Sequence, residues 1–177
     1  MTTGHEAGAS PPLESRAEQV RVTLDAEAKY LTFCVGDEIY AINVFQVREV
    51  LDLCQISRVP NVPSFVLGMI DVRGHSVPVL DLRSKFGLPP VATSRHSRIM
   101  VLEVQADGKP IMIGALTDRV YEVTGLDSSN VDPPPNVGVR WDSEFIKGIG
   151  RRRERFVIVI DFNRVFMAGE LAFVAHA

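Results

Sequence analysis

Residues 65–86 read FVLGMIDVRGHSVPVLDLRSKF, which is the clearest hairpin pattern in the chain. Two runs rich in Val, Leu and Ile flank an Arg73–Gly74 pair, a composition typical of two strands joined by a tight turn. Asp81 ends the second run, where its carboxylate can accept bonds from the first free backbone amides of a helix. The stretch therefore predicts a strand, a turn, a second strand and a short capped helix.

The same design returns eighty positions later, in residues 145–166, which read FIKGIGRRRERFVIVIDFNRVF. The two stretches align without a gap, and seven of their twenty-two positions are identical, where ordinary residue usage gives about one or two. The identical pairs are Phe65/Phe145, Gly68/Gly148, Arg73/Arg153, Val77/Val157, Val79/Val159, Asp81/Asp161 and Phe86/Phe166. This agreement indicates an internal repeat.

A weaker match lies upstream, between residues 46–53 (QVREVLDL) and 118–126 (DRVYEVTGL). Both members follow a pair of apolar runs that surround a Gly or an Asp-Gly turn, as a hairpin does. The chain thus reads as two copies of one unit, each made of a hairpin, a Glu-Val strand, a second hairpin and a capping helix. In the first copy, we expect a helical turn at 43–47 that passes into a strand over 47–57.

Many short strands with frequent turns, and few helices, predict an all-β barrel architecture. One small barrel per copy is the simplest arrangement, and the two barrels should share an interface because a five-stranded barrel alone is marginally stable. We expect residues 1–28 to be a disordered tail, residues 29–168 the folded part and residues 169–177 a C-terminal tail. The Pro-rich insert at 128–138 is expected to cross the surface or link elements.

Composition narrows the possible functions. A net charge of −3 and a pI near 5.8 argue against a nucleic-acid partner. No apolar run approaches the roughly 20 residues needed to cross a bilayer, and the first residues lack the pattern of a signal peptide, so we expect a cytoplasmic protein without direct membrane insertion. Cys34 and Cys54 lie in strand-like segments without metal spacing, and we expect both to be reduced, small hydrophobic residues.

The sequence carries no phosphate-binding loop, no nucleophile elbow and no paired His or Cys motif, which predicts no catalytic residue, no cofactor and no metal site. His75 lies near Asp71, so a small hydrolase that uses this pair as a general base stays open as an alternative. The arginine run at 151–155 is interpreted as a solvated turn in preference to an anion contact.

Glu49 and Arg73 are not easily explained as ordinary surface charges, because each interrupts an apolar segment of the first copy. We expect them to pair across the barrel surface, either as a structural ion pair or as part of a recognition groove. The apolar positions beside them would form a groove wall suited to a helical partner; these are Val47, Val50, Gly68 and Met69.

Over residues 30 to about 167 the chain resembles the CheW family, the coupling proteins of bacterial chemotaxis. The resemblance rests on four segments in the family's order and spacing: GDEIYAINVFQVREVL (36–51), VPNVPSFVLGMIDVRGHSVPVLDLRSKFGL (59–88), GALTDRVYEV (114–123), and FIKGIG followed by VIVIDFNRVF. It implies two intertwined five-stranded SH3-like barrels with short helices, and an adaptor without catalysis that joins the cytoplasmic tip of a chemoreceptor to the regulatory domain of the histidine kinase CheA.

By the same resemblance, a groove between the barrels takes the receptor helix. Positions of the first copy that match the groove or its support are Val47, Glu49, Gly68 and Arg73, and Val120 and Val123 match its wall in the second copy. Asp71 stands where the family commonly has Asn. A paralogous adaptor of a surface-sensing or pilus-linked kinase system is the alternative within the family, since both kinds of adaptor share one fold.

Overall fold

The structure is a computed structural model that describes residues 27–126, 145–166 and 169–170. The predicted tail up to residue 26, the Pro-rich insert and the last seven residues lie outside these ranges. Ala28, which we assigned to the tail, is only 7% exposed and packs in the interior of the fold. The folded part therefore includes at least this residue.

Strands dominate the described residues and confirm the all-β class. The strands are β1 Lys29–Val35, β2 Glu38–Asn43, β3 Val47–Asp52, β4 Val66–Val72, β5 His75–Asp81, β6 Arg98–Ala106, β7 Lys109–Thr117, β8 Arg119–Gly125, β9 Ile146–Arg152 and β10 Arg155–Ile160. A helix of one turn follows the second hairpin of each copy: α1 Leu82–Lys85 in the first and α2 Phe162–Val165 in the second. A 3₁₀ turn spans Val44–Gln46.

The strands form two five-stranded sheets, each of which is built from both copies. The first barrel has the order β3-β6-β7-β5-β4, and the second barrel has the order β8-β1-β2-β10-β9. The prediction of one barrel per copy is therefore wrong, whereas the two intertwined SH3-like barrels implied by the family resemblance are correct. Each copy contributes its first hairpin to the barrel of the other copy, through parallel pairing of β2 with β10 and of β7 with β5.

The hairpin over residues 65–86 forms as predicted, and its repeat forms in the same way. In the first copy, Asp81 accepts a bond from the Arg83 amide at 2.9 Å and its own amide donates to the Phe65 carbonyl at 2.7 Å. In the second copy, Asp161 accepts from the Asn163 amide at 3.1 Å and donates to the Phe145 carbonyl at 2.8 Å. Both aspartates are helix caps, so the repeat extends to individual hydrogen bonds.

The predicted helical turn before β3 is present, but the strand is shorter than expected. Its last paired residue is Asp52, which lies opposite Arg98 at the start of β6, so no partner strand continues beyond it. Cys54 consequently lies outside any strand and is exposed, which corrects its assignment to a strand-like segment. Cys34 lies in β1 and is partly buried.

One central core joins the two barrels, which confirms the prediction that they share an interface. Its fully buried side chains come from strands of both barrels and from both helices, among them Phe33, Leu102, Leu82 and Phe162. Each barrel also has a smaller interior of its own, which in the second barrel contains Val157 and Val159 and in the first contains Val77 and Val79. Strands whose two faces both meet a core need no polar face, which explains their continuous apolar runs.

Stacked aromatic rings line part of the central core. Tyr40 lies 5.7 Å from Phe33 and 5.0 Å from Phe86, and Phe86 lies 5.8 Å from Phe145, measured between ring centroids. Burial raises the pKa of Tyr40 to about 12, and the neighbouring Glu38 carboxylate adds to the effect. The rings connect the first hairpin of the first copy, through Phe33 and Tyr40, to the capping helix of the same copy, through Phe86. From Phe86 the contacts continue to Phe145 in the second copy.

Candidate functional site

Glu49 and Arg73 pair across the opening between the first and last strands of the first barrel. Glu49 lies on β3, and Arg73 lies in the turn that follows β4. The Arg73 guanidinium donates from Nε to Glu49 Oε1 at 3.3 Å and from Nη2 to Oε2 at 3.4 Å. The predicted pairing is confirmed, and it is an exposed one, since the Arg73 side chain is 81% accessible. Such a pair contributes only about 0–1 kcal/mol to folding, so the fold does not depend on it.

A strained turn presents Arg73 at the tip of the hairpin. Arg73 and Gly74 both have left-handed backbone conformations, with φ of +53° and +84°, as the two central residues of a type I′ turn require. The Gly74 amide donates to Asp71 Oδ1 at 3.1 Å, which stabilises the turn from within. Asp71 thus serves the backbone of the turn that carries Arg73.

The same turn argues against the hydrolase alternative. In the ladder between β4 and β5, Asp71 lies opposite Ser76, and Val72 lies opposite His75. Residues directly opposite share a face and successive residues alternate, so Asp71 and His75 leave the hairpin on opposite faces. The two side chains are not arranged as a carboxylate–imidazole pair.

Val47 and Val50 lie on β3, beside Glu49, but they differ in burial. Val47 packs against the central core, whereas Val50 is 39% exposed. Phe45, in the 3₁₀ turn before this strand, is 86% exposed and is the most exposed large apolar side chain of the described residues. The periodicity of the sequence does not single out Phe45, because an apolar residue at this position reads as part of the core pattern.

Gly68 contributes no side chain to a groove wall and is buried. Its φ is +145°, and a Cβ built on it would lie 2.2 Å from the carbonyl oxygen of Ser57. This close approach allows Ser57 and Met69 to exchange two backbone hydrogen bonds of 2.8 Å. Gly68 therefore fixes the segment that precedes β4 against the edge of the first barrel.

Val120 and Val123 lie on β8, the edge strand of the second barrel that corresponds to β3. Val120, like Val47, packs against the central core. Val123 is 51% exposed, like Val50 in the first barrel. Each copy thus places one valine towards the core and one towards solvent.

The second barrel repeats the ion pair as well. Glu122 on β8 pairs with Arg152 at the end of β9, and these strands are the first and last of its sheet. The sequence alignment matches Arg73 with Arg153, and Arg153 does share its left-handed backbone, with φ of +46°. The arginine that pairs in the second barrel is Arg152, one position before the residue aligned with Arg73, and Arg153 therefore lies at the tip without this pairing role.

No helix within the described ranges is long and apolar enough to cross a membrane. Among the same residues, no group of three or more His, Cys, Asp or Glu side chains is arranged to hold a metal ion.

Comparison with known proteins shows the family directly. The family model described as CheW-like domain matches residues 29–170. The chain is 31% identical over 146 residues to the chemotaxis protein CheW of Klebsiella aerogenes, covering 82% of this chain and 86% of that protein. It is 30% identical over 138 residues to the chemotaxis protein CheW of Bacillus subtilis, covering 77% and 85%. The crystal structure of the scaffolding protein TtCheW from Thermoanaerobacter tengcongensis matches with a TM-score of 0.70 and 31% identity, over 81% of this chain and 94% of that one. The chain therefore belongs to the CheW family.

Proposed function

We propose that this chemotaxis coupling protein joins the cytoplasmic tip of a chemoreceptor to the regulatory domain of the histidine kinase CheA, on the cytoplasmic side of a receptor array. Membership of the CheW family supports a coupling role in chemotaxis. The structural neighbour is itself described as a scaffolding protein. A scaffold needs binding surfaces, and the exposed features of the first barrel provide one.

The exposed, two-point ion pair between Glu49 and Arg73 is the observation that carries the receptor surface. The pair adds little to folding, yet a type I′ turn holds Arg73 in place. Charges held in a fixed geometry at a surface favour recognition, because less side-chain freedom is lost when a partner binds. We assign the receptor contact to this pair and to the valines of the two edge strands, Val47, Val50, Val120 and Val123, with Gly68 supporting the edge.

The orientation of β3 defines how a receptor helix would lie. Glu49 and Val50 are successive residues of a strand and point to opposite faces. β3 is the terminal strand of its sheet, so one of its edges pairs with no other strand among the residues that the structure describes. A helix that contacts both side chains must therefore lie along this free edge, where exposed apolar side chains can pack against it.

Capture experiments with receptor and kinase fragments test this proposal. We expect Arg73→Glu to weaken receptor binding by about tenfold or more, since it places two carboxylates together, and to leave kinase binding intact. Lys109→Glu is a matched control, because Lys109 is exposed beside another hairpin turn of the same barrel. Thermal unfolding is expected to be the same for all three proteins.

Two results would contradict this assignment. Receptor binding that survives Arg73→Glu would move the contact elsewhere on the protein. An unfolded Arg73→Glu protein would make the pair structural. The double exchange Glu49→Arg with Arg73→Glu restores opposite charges, and its recovery of receptor binding would support a pair that acts as a unit.

A further inference from the structure

The end of the second barrel opens into a cavity of about 210 Å³. Its floor includes Ile39 and Val157, and its rim carries Arg152, Arg153 and Arg155 from the β9–β10 hairpin. The run 151–155, which we interpreted as a solvated turn, thus forms part of a concave surface. In the first barrel, the corresponding hairpin carries Asp71 and a single arginine.

Neighbouring groups hold most of these arginines in place. Arg152 pairs with Glu122, and Arg155 Nη2 donates to the carbonyl oxygen of Asp37 at 3.1 Å. The Arg151 guanidinium lies 4.9 Å from the centre of the Phe156 ring, within cation–π distance. Side chains that are already ordered lose less conformational entropy when they bind a ligand, so Arg152 and Arg155 are prepared for binding although the turn itself is solvent-exposed.

The lining of the cavity is positively charged, with three arginines and one carboxylate, Glu122, which pairs with Arg152. The carboxylates of Asp37 and Glu154 lie nearby in the chain but outside the lining. Within the part of the chain that the structure describes, the Arg153 side chain has no hydrogen-bond or ion-pair partner, and its left-handed backbone places it at the tip of the hairpin. Glu38 adjoins Ile39 but acts on Tyr40, so its charge lies on the other side of β2.

Apolar surface adjoins this charge. Tyr121, which lines the cavity, is 44% exposed. A carboxylate matches the arginines, and an apolar side chain next to it in sequence matches the Tyr121 ring. A flat anionic membrane fits poorly, because the arginines surround a concave opening and the whole chain is negatively charged.

We propose that the mouth of the second barrel binds an acidic segment of a partner protein, with a carboxylate held by Arg153 and Arg155 and an apolar side chain packed on Tyr121. This surface belongs to a different barrel edge from the Glu49–Arg73 pair. It gives the adaptor a second docking surface, which borders the proposed receptor contact along β8, where Tyr121 and Glu122 lie between Val120 and Val123.

Fluorescence anisotropy with a fluorescein-labelled peptide of alternating Glu and Leu tests the proposal on the full chain. We expect binding at low salt that weakens as salt is added, and no binding of a matched Lys–Leu peptide. The double variant Arg153→Asn and Arg155→Gln should lower the affinity by about tenfold or more, since two charge-assisted contacts are lost. Asn is chosen because it tolerates the left-handed backbone at 153.

A matched control removes two exposed arginines elsewhere, Arg58→Gln and Arg95→Gln, and should change the affinity by less than about twofold, since no lining charge is altered. Equal losses in both double variants would overturn the site, because net charge alone would then explain the binding. Absence of Glu–Leu peptide binding to the wild type would also overturn it. Receptor capture by the Arg153→Asn and Arg155→Gln variant should be unchanged, which separates this site from the proposed receptor contact.

Two further probes distinguish other anions. Phosphatidylserine vesicles that bind the wild type while the Glu–Leu peptide does not would assign the surface to a membrane and overturn the proposal. Competition by inorganic phosphate at low millimolar concentration that fully displaces the peptide would assign it to a small anion. Displacement of the peptide by unlabelled Glu–Leu peptide, with loss of affinity in Tyr121→Ser, would support a peptide that uses both the charges and the ring.

Discussion

The two barrels share one plan and differ at one hairpin tip. In each barrel, a Glu on one edge strand of the sheet, β3 or β8, forms an ion pair with an Arg. This Arg lies in the turn after the other edge strand, β4, in the first barrel and at the end of β9 in the second. In the first barrel, the tip carries the pairing arginine next to Asp71. In the second, the pairing arginine lies in the strand, and the tip carries an additional one, Arg153. The two copies therefore share the strands and the ion pair but differ in the side chains at the hairpin tip.

This difference explains why one plan can provide two surfaces. The helix caps stabilise the architecture and recur in both copies. The closing pairs, Glu49–Arg73 and Glu122–Arg152, recur as well but add little stability. The side chains at the turn are solvent-exposed, so they can change without disturbing the core. We therefore expect substitutions in the framework to affect both barrels alike, unless a local contact is special to one of them.

Gly68 makes a close contact with Ser57 in the first barrel, and its substitution should have the largest effect. Gly68→Ala would place a Cβ 2.2 Å from the Ser57 carbonyl oxygen on a backbone with φ of +145°. We expect a loss of about 3 kcal/mol or more in the free energy of unfolding, from strain and overpacking together. Chemical denaturation would measure this loss.

Gly108→Ala is the matched control for that substitution. Gly108 also has a positive φ, of +74°, but no atom lies within 4 Å of the position its Cβ would take. Strain alone should cost about 1 kcal/mol there. Equal losses for the two variants would show that the contact with Ser57 is unimportant and that the first barrel has no special constraint at Gly68.

The helix caps test whether the framework is equivalent in the two copies. Asp81→Ala and Asp161→Ala each remove one side-chain bond to a backbone amide, of 2.9 Å and 3.1 Å. We expect losses of about 1 kcal/mol in each case, measured by thermal or chemical unfolding. A loss several times greater at one aspartate would break the equivalence, and Asp81→Asn, which retains a capping oxygen, should be milder than Asp81→Ala.

The closing pairs should give the smallest effects on stability and opposite effects on binding. Glu49→Gln and Glu122→Gln each remove an exposed charge, so we expect changes below about 1 kcal/mol in unfolding free energy. Glu49→Gln should weaken receptor capture. Glu122→Gln should instead tighten binding of the Glu–Leu peptide, because it frees Arg152. Weaker peptide binding in Glu122→Gln would contradict the role assigned to the second barrel.

Much of the candidate site follows from sequence patterns. An isolated Glu and an isolated Arg in apolar segments predict a pair, because unpaired charges are costly where water is partly excluded. The structure confirms this pair for Glu49 and Arg73. The exposure of Phe45 and the burial of Gly68 could not be predicted in this way, since both depend on which segments pack nearby.

The repeat can be read directly from the sequence, and the hairpins, their turns and the capped helices can be predicted from it because they depend on contacts between residues close in the chain. The exchange of first hairpins between the copies is visible in the tertiary structure alone, since the pairing of β1 and β2 with β8 and β10 joins residues far apart in sequence. It likewise decided that Arg152, and not Arg153, pairs with Glu122. Alternation along a strand sets which of two adjacent arginines faces the opposite edge, and that register is fixed by the packed core.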